Sequence, residues 1–160
     1  KEVTMNKYEL SDTEIDEIYD HYYSDKQQFV HKCDPTPLSK LTLVKEVLDD
    51  DEDYIFALII FRNIYSTFED AYESIVNYTI FDNETSRDSA FEEMLSNQVE
   101  NSIEDALVGG SCSWLYHYID TETIVDARMS ECSYAEILSN YEEEIEATIN
   151  GVTYYMYRNY

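Results

Sequence analysis

The run DDDED at 49–53 places Asp49, Asp51 and Asp53 at alternate positions, the spacing with which a calcium-binding loop begins to wrap its ion in oxygens. The second half of such a loop is missing: Tyr54 stands where a glycine is required, and Ile60 where a bidentate glutamate would close the site. His21, His31 and His117 are spread along the chain without an HExxH-like companion, which gives no metal centre. His117, inside WLYHYID, reads as an interior or half-buried structural histidine. Cys112 lies in the same region, but no basic neighbours are there to lower its thiol pKa and make it a nucleophile. Three glycines leave no phosphate-cradling loop. Carboxylate pairs for glycoside hydrolysis can be drawn anywhere among 35 acids, and with one Trp there is little to build a sugar cleft. No catalytic residue, metal or cofactor is expected.

The acids say more as a pattern of spacing. On a helix expected over about 87–108, Glu93, Glu100 and Glu104 fall at i, i+7 and i+11, away from Phe91, Leu95 and Val99. With about 1.5 Å of rise per residue, their carboxylates are roughly 6 to 10 Å apart along the axis. Successive phosphates on one DNA strand have a comparable separation. Asp51, Asp53, Glu69, Asp70, Glu73, Asp82, Glu84, Asp120, Glu122 and Asp126 stand at expected helix starts and loops, and Glu144 and Glu146 on the outer face of a terminal strand. These acids are the candidate partner-binding residues, with carboxylates standing in for phosphates.

The charge balance supports that choice. The chain of 160 residues carries −25, and residues 46–160 hold 26 acids against four arginines, a net of −22. All six lysines lie at or before Lys45. Self-repulsion of this size costs stability, and solubility alone does not require such asymmetry. Direct nucleic-acid binding and anionic membranes are both disfavoured, since each needs Lys and Arg. The fitting partner is a basic protein surface. With 16 Tyr and 6 Phe the chain is nevertheless rich enough in aromatics to fold, unlike a disordered acidic tail. Its three cysteines have no CxxC spacing and fit a reducing cytoplasm, and YIFALIIF at 54–61 is too short to span a bilayer.

The elements that must hold these acids make an α+β fold, rich in helix. Ser11-Asp12-Thr13-Glu14 is a capping box that opens a helix to about 31, ended before Pro35-Thr36-Pro37. A second helix spans 38–48, and the 49–53 run reads as a loop whose Glu52 and Asp53 cap the next element. Residues 54–64 are apolar on every side, a buried strand or a buried helix. Ser66-Thr67-Phe68-Glu69 opens a short helix to about Ile75, then a strand covers 78–81, a turn 82–86, the long helix 87–108, a stop at Gly109-Gly110, and a helix about 113–129. Asn150-Gly151 marks a two-residue type I′ turn in an antiparallel hairpin over about 144–158, joined to a short mixed or antiparallel sheet. Its register puts Ile145, Ala147, Ile149, Val152, Tyr154 and Met156 on a core face, and Glu144 and Glu146 beside Tyr157 and Tyr155 on the other. The division expected is a helical lobe over 1–62 and an acidic α+β domain over 63–160.

Read in order, FEDAYESIVNYTIFDN at 68–83, WLYHYIDTETIVDAR at 114–128 and INGVTYYMYRNY at 149–160 resemble the ArdA family of antirestriction proteins, with Tyr118-Ile119-Asp120, Glu122 and Asp126 matching its YID-x-E motif and later Asp. The resemblance covers the C-terminal two-thirds. It implies an acidic protein that imitates bent B-form DNA in the DNA groove of type I restriction–modification enzymes, inside a bacterial host cell, without catalysis or cofactor. It leaves a homodimer open. The alternatives are an anti-CRISPR protein that keeps DNA from a Cas effector, an acidic module for another basic protein, and a small hydrolase.

Overall fold

The computed structural model describes residues 7–26, 36–64 and 66–160. It is α+β: helices α1 (Asp12–Lys26), α2 (Pro37–Asp50), α3 (Glu52–Asn63) and α4 (Phe68–Ser74), a 3-10 turn at Ile75–Asn77, strand β1 (Tyr78–Phe81), helix α5 (Glu84–Leu107), a 3-10 segment Ser113–Tyr118, helices α6 (Thr121–Glu131) and α7 (Tyr134–Leu138), and strands β2 (Glu144–Ile149) and β3 (Val152–Arg158). The expected end of the first helix, at 27–31, and Pro35 lie outside the described residues. No helix among the described residues is long and apolar enough to cross a membrane.

The chain forms two compact units, one of the described residues up to Asn77 with Ala147–Val152, the other of Tyr78–Glu146 with Thr153–Tyr160. In the first, α1 packs on α2 and α3 on α4. The Ser11–Glu14 capping box is formed: the Ser11 amide donates to Glu14 at 2.9 Å, and the Glu14 amide donates to the Ser11 hydroxyl at 3.2 Å. The 49–53 run differs from its sequence reading. Asp49 and Asp50 complete α2, and Asp51 alone separates the helices, its carboxylate accepting the Asp53 amide at 3.0 Å. One N-cap is enough to restart the chain, and the apolar stretch beyond it becomes the buried helix α3, with Tyr54, Ala57, Leu58, Ile59 and Ile60 buried. Tyr54 stacks on Phe68, their centroids 5.7 Å apart.

In the second unit the apolar side of α5, Phe91, Leu95 and Val99, packs with Val125, Leu138, Tyr155 and Tyr157. The sheet order is β1-β3-β2, with β1 antiparallel to β3 in the register Tyr78↔Arg158 to Phe81↔Tyr155. Asn150 and Gly151 both have positive φ, 50° and 81°, as a type I′ turn requires. Ile145, Ile149, Tyr154 and Met156 are buried as expected, while Val152 is exposed. The other face is corrected. Tyr155 and Tyr157 point not to solvent but into the α5 core, because β3 is the central strand and both its faces are covered. Two further elements depart from the expectation: the helix foreseen over 113–129 is broken by Asp120, which caps α6, and α7 begins at a capping box, Ser133 with Glu136, in a stretch where no element was expected.

Candidate functional site

Seven of the fifteen candidate acids sit at helix caps or in first turns, positions set by local capping chemistry. Thr67, Asn83 and Asp120 are the N-caps of α4, α5 and α6, accepting amides of Asp70, Ser86 and Thr123. Acids therefore crowd the first turns, where Glu69, Asp70, Glu84 and Glu122 meet the positive end of the helix dipole. Asp120 also accepts the Thr123 hydroxyl at 2.7 Å, and this bond holds its carboxyl below the usual range. Glu93, Glu100 and Glu104 are exposed on α5, and Asp126 on α6. Of all the candidates only Asp51 falls short of full exposure, being half-buried.

Ion pairing leaves this set untouched. Among the described residues the salt bridges are Lys7–Asp49, Lys40–Asp16, Arg62–Glu14, Arg87–Asp88, Arg128–Glu131 and Arg158–Glu143. None of the candidate acids takes part. Their hydrogen bonds are to neutral groups: Tyr155 donates to Glu84 and Tyr157 to Glu144, each at 3.2 Å, and Asn83 to Asp82 at 2.7 Å. Burial, and then the nearby Glu144 carboxylate, push the Tyr157 hydroxyl well above the ordinary tyrosine range, so Glu144 keeps a neutral donor beside it.

The structure brings some candidates together and adds residues the sequence reading passed over. In the first unit Glu69 and Glu73 line a groove of about 580 Å³ with Glu17, Asp20, His21, Ser24, Thr67 and Tyr72. Glu17, Asp20, His21 and Ser24 fall at i, i+3, i+4 and i+7, one face of α1, a helical period that was available in the sequence. Glu17 also accepts the Phe68 amide at 2.7 Å, and His21 meets the Tyr54 hydroxyl at 3.1 Å. In the second unit Glu93, Glu100 and Glu104 share α5, Asp120, Glu122 and Asp126 the N-cap, first turn and middle of α6, and Glu144 and Glu146 the edge strand β2. Among the described residues no group of three or more His, Cys, Asp or Glu is placed to hold a metal ion. His117 is exposed, neither interior nor half-buried, because the 3-10 segment carrying it lies at the surface. Chemically, the arrangement offers fixed negative charge to a cationic surface.

No protein-family model, curated protein or solved structure matches the chain.

Proposed function

We propose that this protein is a non-enzymatic DNA mimic that inhibits a bacterial defence enzyme, in the manner of the ArdA family that residues 68–83, 114–128 and 149–160 resemble. The observation that supports this reading is that the candidate acids are exposed, Asp51 apart, yet take part in none of the described ion pairs, while every arginine is already paired within the fold. On α5 they are carried by a helix of 24 residues whose opposite side is locked into a core. The backbone that carries these carboxylates is already ordered, so meeting a Lys- and Arg-lined groove costs side-chain freedom alone, and the target's bound anions are released in return. The target is a type I restriction–modification enzyme in the host cytoplasm; its DNA groove is the site occupied.

Competition for DNA tests this. A labelled duplex bound to a type I methyltransferase is titrated with the protein while anisotropy is followed. Displacement that weakens steeply as NaCl rises is the expected result, and Glu93→Gln/Glu100→Gln/Glu104→Gln should lower the salt dependence. Retention of the duplex at every salt concentration excludes the type I target, and a parallel titration of a DNA-bound Cas effector reports on the anti-CRISPR alternative.

A further inference from the structure

The segment after α5 exposes apolar surface in a run free of acids that is flanked by Glu104 and Asp105 on one side and Asp120 and Glu122 on the other. Val108 is 68% exposed, Trp114 58% and Tyr118 79%. Trp114 and Tyr118 contact edge to face, ring centroids 6.0 Å apart. On the same 3-10 segment Tyr116 and His117 line a shallow groove of about 410 Å³ whose other wall is Glu104, Leu107 and Val108. The backbone holds this surface in place: the Val108 amide donates to Glu104 at 2.8 Å, Gly109 turns the chain at φ 71°, and the Leu115 amide donates to Cys112 at 2.9 Å. Exposed Trp and Tyr on an ordered segment are the residue types that anchor protein interfaces.

The surroundings select the occupant. Between Arg87 and Arg128 there are nine acids and no Lys or Arg. Glu104 lines the groove itself, and Asp120 and Glu122 come directly after the aromatic pair. A second copy of the chain would bring another −25 to this surface, which disfavours self-association. A planar guanidinium satisfies both features, stacking on a ring while pairing with a carboxylate. The fold already uses that combination internally, where the Arg87 guanidinium lies between the rings of Tyr134 and Tyr155, 4.0 and 4.1 Å from their centroids, and pairs with Asp88 at 3.2 Å.

We propose that Trp114 and Tyr118, with Asp120 and Glu122 following them in the chain and Glu104 on the adjoining groove, form a docking surface for an arginine-bearing segment of a basic protein. This goes beyond phosphate imitation, because the aromatic rings discriminate Arg from Lys, which a field of carboxylates does not. It also holds whether or not that protein processes DNA.

The test uses the full chain and labelled nona-arginine and nona-lysine peptides at about 150 mM NaCl, where long-range attraction is largely screened. Nona-arginine is expected to bind more tightly, with Trp114→Ala/Tyr118→Ala lowering its affinity roughly tenfold and leaving nona-lysine unchanged. Trp114 is the one tryptophan, so its acrylamide quenching in the unaltered protein gives a readout independent of any variant: bound nona-arginine should shield it. Equal affinity for the two peptides, unaltered binding by the double variant, or unchanged quenching each overturns the proposal. So does sedimentation showing a dimer that the double variant abolishes, since a second copy would then cover the patch.

Discussion

Arg62 shows how a highly acidic chain spends its few bases on structure. Its guanidinium pairs with Glu14 at 2.7 and 3.2 Å and donates to the Tyr8 carbonyl at 2.9 Å and the Glu9 carbonyl at 3.2 Å, tying the chain before α1 to the end of α3. Burial pushes the Glu14 carboxyl up, but Arg62 and the Ser11 amide outweigh it and leave the group below its ordinary 4.5. A depressed folded-state pKa contributes stability that is fully present above 4.5 and is lost as pH falls through the folded value. Glu14→Gln should therefore cost about 1–3 kcal/mol near neutrality, less than for a fully buried pair, and should flatten the loss of stability below pH 4.5 in urea titrations. Arg87 makes a second such use in the other unit. Its side chain is largely buried between two tyrosine rings, so Arg87→Met is expected to destabilise by about 1–3 kcal/mol in the same assay, and Arg87→Lys to recover only part of that.

Single residues start and stop the elements, and the fold can be perturbed there without touching a core. Asp51 is the whole connection between α2 and α3, so Asp51→Ala should cost about 1 kcal/mol, seen as a lower denaturation midpoint. Gly151, at φ 81° in the hairpin turn, should cost on the order of 1 kcal/mol when replaced by Ala, with Asn150 kept in place. The hairpin was legible because Asn-Gly and the alternation of Ile145, Ala147 and Ile149 agree on one register. The break at Asp120 was not legible, although Asp-Thr-Glu-Thr is a capping sequence, because the apolar residues of WLYHYID and IVDAR can be joined into one helical period. The 3-10 geometry that separates them leaves Trp114 outside the core.

At the scale of the whole molecule, the −25 charge opposes folding even where each unit is well packed. Raising NaCl should screen this repulsion and raise the thermal midpoint, with most of the gain reached by the concentration at which the Debye length is about 8 Å. The same salt should weaken the proposed association with a basic groove. Opposite responses of stability and binding to one variable distinguish functional charge from charge that merely keeps the surface solvated.

Sequence alone determined the charge, its separation from the lysines, the amphipathic side of α5 and the hairpin turn, because each depends on residue type or on contacts a few positions apart. It also placed the candidate acids outward, since exposed positions are those that a core face leaves over. Tertiary structure decided the rest. Glu17, Asp20 and His21 meet Glu69 and Glu73 only because α1 and α4 pack together. Tyr155 and Tyr157 became core residues only because β3 pairs on both edges and α5 covers its face, and a period of two assigns residues to opposite faces without saying which face is covered.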